Sequence, residues 1–190
     1  GKGILVDYIG EAVRVLQRDG LVIYPTETVY GLGADAFSED AIMKVFEAKH
    51  RPLSQPISVA VSDIGMLRCI AHVSPTDEEF LDRFLPGPVT VVLKAKRLLP
   101  GILTAGTGLI GVRIPAHPVP IALIEGLDSP VTATSANVHG APEPRTPGDC
   151  RIMHDYLIDG GSLPGRPSTV VDLTGQRILR RGADADQIES

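Results

Sequence analysis

The chain has 190 residues, 43% of them hydrophobic and 22% charged, with a net charge of −5. That length and balance describe a single globular domain over 1–190 that buries about 70% of its unfolded surface. They exclude a protein whose whole surface is a basic platform for nucleic acid, although a local basic cleft stays open.

With no Trp, four Phe and four Tyr, the core must rest on Val, Ile, Leu and Ala. Ile9, Ala12, Val13 and Leu16 lie on one face of a helix that Gly20 closes, and Leu21–Tyr24 follows as a buried strand. Pro25-Thr26-Glu27-Thr28-Val29-Tyr30-Gly31-Leu32-Gly33 then sets two hydroxyls and a carboxylate at the mouth of that strand. Its glycines let the backbone turn and approach a bound group, and strand ends of open α/β sheets are where ligands sit. Ser38 has the features of an N-cap, with Glu39 and Asp40 in the first turn, and Ile42, Val45, Phe46 and Lys49 continue that helix. Ile57–Val61 reads as a strand. Ser74-Pro75-Thr76-Asp77 reads as a capping box opening a helix whose apolar side is Phe80, Leu81 and Phe84.

Pro86-Gly87-Pro88 ends that helix. Val89–Lys94, Gly111–Ile114 and Val131–Thr134 read as strands, the last two separated by a proline-rich segment around His117–Leu127. Thr146-Pro147-Gly148-Asp149 resembles a helix start, and Gly140–Gly148 is the candidate mobile loop. Thr169–Leu173 and Gln176–Arg180 form a hairpin around Thr174-Gly175, so the sheet is mixed rather than purely parallel. The fold class is α/β, with a twisted, mostly open mixed β-sheet flanked by helices.

Cys69 and Cys150 are far apart and form no C-x-x-C; Cys69 shares an apolar stripe with Met66 and Ile70 and is expected to be a buried free thiol. His50, His72, His117, His139 and His154 show no metal spacing, so no protein-held metal is expected. The chain shows no signal peptide, no lipidation motif and no apolar run near the ~20 residues of a membrane span, which points to a reducing cytoplasm.

Gly106-Thr107-Gly108-Leu109-Ile110-Gly111 matches G-x-G-x-x-G but leads into a strand, whereas a dinucleotide fingerprint opens a helix, so it is read as a decoy. Lys49-His50-Arg51-Pro52 follows a helix and allows two readings: solvated cations completing a helix C-terminus, or an ammonium and a guanidinium gripping phosphate. Ser135-Ala136-Asn137 is either a polar turn or a second ligand-facing strand end. Arg113 on its strand is an edge gatekeeper or an anion partner, and Arg180-Arg181-Gly182 a solvated end or a further phosphate contact.

Together these segments resemble the YrdC-like threonylcarbamoyl-adenylate synthases. The resemblance runs from Leu21 to Ala183 and includes P-T-E-T-V-Y-G-L-G, K-x-R-P at Lys49–Pro52, Leu85-Pro86-Gly87-Pro88-Val89-Thr90 and Val112-Arg113-Ile114-Pro115-Ala116-His117-Pro118. It continues through Ser135-Ala136-Asn137, Ser168-Thr169-Val170-Val171-Asp172 and Leu179-Arg180-Arg181-Gly182-Ala183. It implies a YrdC-like, double-stranded-RNA-binding-like fold. It also implies a nucleotidyltransferase that makes threonylcarbamoyl-AMP and pyrophosphate from L-threonine, bicarbonate and ATP, for modification of adenosine 37 in tRNA.

By the same resemblance Lys49, Arg51, Gln55, Ser135, Asn137 and Arg180 hold ATP, with Lys49 and Arg51 on the phosphates as the catalytic pair. Thr28, Tyr30, Arg113, Ala133 (through its backbone) and Ser168 frame the threonine, with Arg113 on its carboxylate. Magnesium accompanies the triphosphate without dedicated protein ligands. The product passes to a threonylcarbamoyl-transferase complex; tRNA is a further partner and a membrane is not. This chain departs from many relatives at Ala60, where they carry a histidine, and at Glu143 and Arg145, where they carry Ser and Thr. It reaches Ser190 without the extra C-terminal domain of longer relatives, so the single-domain form is expected. Two other readings stand beside this one. One is a double-stranded RNA or tRNA module using Lys94, Lys96, Arg97 and Arg113 without adenylate synthesis; the other is a related carbamoyl-transfer domain.

Overall fold

A computed structural model describes residues 2–189, and side chains from Tyr8 onward. The chain opens with helix α1 (Lys2–Gln17) and the antiparallel strands β1 (Val22–Tyr24) and β2 (Gly31–Gly33), followed by α2 (Glu39–Lys49) and β3 (Val59–Ala60). Helices α3 (Ile64–Ile70) and α4 (Pro75–Phe84) precede β4 (Val89–Lys94), the short α5 (Gly101–Thr104) and β5 (Leu109–Arg113). Then come α6 (Pro118–Leu127), β6 (Val131–Thr132), β7 (Thr134–Ser135), β8 (Tyr156–Leu157), β9 (Thr169–Asp172), β10 (Arg177–Arg180) and α7 (Ala185–Glu189).

The caps form as hydrogen bonds. Ser38 accepts from the Ala41 amide, and Ser74 and Asp77 make the reciprocal pair of a capping box with Pro75 in the first turn. The hairpin of β9 and β10 forms as the sequence suggests.

The strands make two mixed sheets rather than one. The smaller runs β7-β2-β1-β8 and the larger β10-β9-β4-β5-β3-β6. The segment expected as one strand over Val131–Thr134 is the stitch between them. Thr132 and Val131 pair with β3, Ser135 and Thr134 pair with β2, and Ala133 changes sheet at the junction. The Thr132 hydroxyl donates to Leu32 O at 2.7 Å and accepts from the Ala34 amide at 2.9 Å. The Tyr24 hydroxyl donates to Thr132 O at 2.8 Å. Polar atoms at the crossing are thereby satisfied, as burial requires.

One apolar cluster, rich in Val, Ile, Leu and Ala, packs α2, α3 and α5 against both sheets; a second joins α1, through Ala12, Val13 and Leu16, to Leu123 and Ile124 of α6. One unassigned segment gains a structure here and one sequence expectation changes. The proline-rich stretch 118–127 is a helix: Pro118 and Pro120 occupy its first turn, where no intrahelical N–H is needed, and His117 Nδ1 accepts from the Val119 amide at 3.1 Å. Cys69 is free but exposed, because α3 turns Leu67 and Ile70 inward and Cys69 falls on its outer side. The buried thiol is that of Cys150.

Candidate active site

The two sheets meet over a polar hollow of about 150 Å³, whose wall is built by β1's exit loop, α2's exit loop, the ends of β5 and β10, and the crossing at Ala133. A narrow extension leads down toward Tyr24, Gly31 and Ala60. A larger groove of about 720 Å³ elsewhere, beside Arg68, His72 and Lys94, holds none of the residues gathered here.

At the first strand's exit, the Thr26 hydroxyl donates to Val29 O at 2.7 Å and accepts from the Thr28 amide at 3.0 Å, folding the polar loop on itself. That turn presents Thr28 to the hollow and Glu27 to Arg113. Arg113, only 6% exposed, donates through one Nη to Glu27 and through the other to Thr28 Oγ1, while its buried Nε has no partner. Glu27 also accepts from the Ala116 amide at 2.5 Å. An ionic and a neutral acceptor thus hold the guanidinium in one orientation.

At the far end Arg51 follows His50, whose left-handed backbone (φ 52°) ends α2. Arg51 donates to Pro56 O at 2.7 Å, and its Nε is likewise buried without a partner. Arg180 donates to Ser168 O at 3.0 and 2.8 Å, and Ser168 shares a 2.8 Å hydrogen bond with Thr90. Ser168, Arg180, Ser135 and Ala133 all line the same wall.

Seven residues named from the sequence therefore converge: Thr28, Arg51, Arg113, Ala133, Ser135, Ser168 and Arg180. Four lie behind the wall rather than on it. The Lys49 ammonium, 2% exposed, donates to Ser135 O, Asn137 O and Asn137 Oδ1, so it shapes the Ser135–Asn137 turn from beneath. Burial first, and the charge of Arg51 second, push its pKa down to about 8, against the opposing pull of Glu143. Asn137 is spent on Ala141 O and Pro142 O through its Nδ2. Tyr30 is fully buried; its hydroxyl donates to Gly161 O and accepts from the Gly160 amide, tying down a distant loop. Gln55 sits outside the hollow in the turn after Pro52, to whose carbonyl its amide donates.

The glycines of the first loop also have another use. A Cβ on Gly31 or Gly33 would stand 2.8 or 2.9 Å from the Tyr24 ring, so these residues make room for that ring. Gly111, last glycine of the decoy motif, acts similarly: its Cβ would lie 2.4 Å from Ser58 Oγ and 3.1 Å from Thr90 Cγ2, both side chains of the wall. Sequence reasoning left Glu27, Ser58, Thr90 and Glu143 without site roles. For Glu27 and Thr90 a signal existed, because each sits inside a segment that carried the resemblance. Ser58 had none, and Glu143 none beyond departing from the relatives' pattern.

A fold of two stitched mixed sheets with a cationic hollow at the stitch has clear relatives. The family model for Sua5/YciO/YrdC, described as "Telomere recombination", matches residues 14–182, and the chain belongs to that family. It is 41% identical over 171 residues to a threonylcarbamoyl-AMP synthase of Pyrococcus abyssi (strain GE5 / Orsay), a match covering 86% of this chain and 50% of the relative. It is 37% identical over 195 residues to a threonylcarbamoyl-AMP synthase of Bacillus subtilis (strain 168), covering 96% and 56%. The chain spans about half the length of these relatives. The crystal structure of P. abyssi Sua5 complexed with L-threonine superposes with a TM-score of 0.89 at 36% identity, over 95% of this chain and 56% of that one.

Proposed function

We propose that this chain makes threonylcarbamoyl-AMP and pyrophosphate from L-threonine, bicarbonate and ATP, and that the product is handed to a transferase modifying adenosine 37 of tRNA. The observation carrying this reading is the convergence of three guanidiniums, from α2's exit, β5 and β10, with the Thr28 and Ser168 hydroxyls on one hollow. Relatives named for that reaction and a relative holding L-threonine support it. At about 150 Å³ the hollow is smaller than the roughly 300 Å³ or more of a whole small-molecule site, so it receives the reacting ends and leaves the nucleoside outside.

In this reading threonine's amine and bicarbonate form a carbamate, the new C–N bond replacing a C–O bond as water leaves. A carbamate oxygen then bonds the α-phosphorus as the bond to the β-phosphate bridge breaks and pyrophosphate leaves. Arg113 and Thr28 orient the amino acid, with the Ala133 carbonyl accepting from its amine and Ser168 closing the pocket. Arg51 and Arg180 neutralise charge that grows on the leaving phosphates, a job of alignment and electrostatics that needs no protein nucleophile. Ser135 lies on the nucleotide side, and Lys49 and Asn137 act by holding the turn that carries it. Magnesium would travel with the triphosphate; the hydroxyl oxygens of Thr28, Thr90 and Ser168 would suit a cation that keeps its phosphate and water ligands, and it would supply charge neutralisation there.

Pyrophosphate release measured with ATP, bicarbonate and each amino acid in turn tests the reading. Threonine-dependent release sustains it, and release preferring serine would revise the pocket. No release, together with RNA binding that weakens steeply with salt, would replace it with a binding module.

A further inference from the structure

We propose that Glu143 is a built-in counter-anion of the hollow: its carboxylate stands where a phosphate group of the nucleotide binds, and the nucleotide displaces it. The proposal rests on the reading of the hollow as a nucleotide-phosphate site. Among the described residues of the wall, Glu143 is the sole acidic side chain, set among Arg51, Arg113 and Arg180. Its Oε2 is buried and accepts no hydrogen bond. Arg113 already has Glu27, whereas Arg51 and Arg180, which share the wall with Glu143, are held by the carbonyls of Pro56 and Ser168, the Ser168 hydroxyl and, for Arg51, His139 Nδ1 at 3.5 Å. The field of Glu143 is felt at Arg180. Arg180's pKa is lowered chiefly by burial, and Glu143 pulls it back up, as it does that of Lys49.

The loop carrying Glu143 is fastened on one side by Asn137, a residue the resemblance places on the nucleotide. Asn137 Nδ2 holds Ala141 O at 2.7 Å and Pro142 O at 3.2 Å, just before Glu143, and the Tyr30 amide holds Pro144 O at 3.0 Å, just after it. Between Asn137 and Glu143 the residues 139–142 are exposed, and Gly140 adopts φ +85° with open space around it. A phosphate entering the hollow meets a like charge, and a ligand that recruits Ser135 or Asn137 loosens the same fastening. Entry of the polyanion and exit of the carboxylate are then one event, and the unliganded protein is spared two guanidiniums with no counter-charge in one small cavity. Repulsion between like charges in a shared desolvated site commonly costs several kcal/mol, so its removal is readable as affinity.

The test is calorimetric titration of ATP, with and without magnesium, and of inorganic pyrophosphate, into the wild-type chain, Glu143→Gln and Glu143→Ala, with thermal melting as a check on folding. The expected result is binding about tenfold tighter for both variants and both ligands, the gain persisting without magnesium. Wild-type binding with unchanged or weaker affinity in folded variants overturns the proposal and leaves the nucleotide reading standing. Weakening confined to magnesium-containing titrations also overturns it, and makes Glu143 a metal ligand. Absence of ATP and pyrophosphate binding in all three proteins overturns the nucleotide reading itself, and the proposal with it.

Discussion

The two ends of the hollow treat positive charge in opposite ways. At one end Arg113 is nearly inaccessible and already paired with Glu27, so its charge is balanced and its orientation set before any ligand arrives. At the other, Arg51 and Arg180 are held by carbonyls of Pro56 and Ser168, which fix position without cancelling charge. A pre-balanced arginine suits a small zwitterion whose own charges sum to zero. Guanidiniums that keep their field suit a polyanion. In the proposed reading threonine takes the Glu27 end and the phosphates the Arg51 end, a contrast that can be broken by experiment.

The largest effect is expected from Arg51→Ala. Pyrophosphate release should fall by about 10²-fold or more, as when one preorganised donor is removed, with the loss expressed in the ATP dependence. Arg51→Lys should recover only part, because an ammonium lacks the planar fork. Next comes Glu27→Gln, which leaves Arg113 buried without its counter-charge. Urea denaturation should show a loss of about 3 kcal/mol, and KM should rise for threonine while that for ATP holds. Parallel changes in both KM values would erase the distinction between the two ends.

Gly111→Ala tests the shared floor. A methyl group meeting Ser58 Oγ should cost about 2 kcal/mol in the same denaturation measurement and lower turnover with both substrates.

A smaller, few-fold effect should appear with pH. Lys49 carries a pKa near 8, depressed by burial and then by Arg51, against an ordinary value of 10.5. A bound triphosphate favours its charged form, so ATP binding above pH 8 should take up a proton and weaken as pH rises, measurable by calorimetry in buffers of different ionisation enthalpy. Stability moves the other way: between about pH 8 and 10.5 the unfolded chain holds the Lys49 proton that the folded chain has lost. The Lys49 contribution to stability therefore increases with pH across that window. The smallest effect belongs outside both ends. Cys69→Ser should leave melting within about 0.5 kcal/mol of wild type, since the side chain is exposed. Thiol reagents should label Cys69 and spare Cys150, whose thiol burial and Asp149 push up to about 11.

Local chemistry in this chain was legible wherever it is short-ranged. Ser38, Ser74 and Asp77 cap helices because a side chain and an amide three residues away always meet in that geometry. The β9–β10 hairpin and the strand at Val89–Lys94 followed from alternation and turn residues in the same way. Segments bearing polar residues at strand ends also pointed to the right loops. Within those loops the sequence could not separate a side chain that faces the hollow from one that holds the loop in place. Thr28 and Tyr30 are two residues apart, yet one lines the wall and the other is locked to Gly160 and Gly161. Arg51 and Lys49 divide in the same manner.

The sequence by itself determined the helix caps, the mixed character of the strands, the small-residue apolar core and the loops from which a cationic site is made, since each depends on neighbours a few positions away. Only tertiary structure decided that residues 131–135 stitch two sheets, that Glu27 balances Arg113 across 86 positions, and that Glu143 stands among the remaining arginines. Those pairings join residues distant in the chain, and a carboxylate's partner is set by which surfaces fold against one another, something no local spacing encodes.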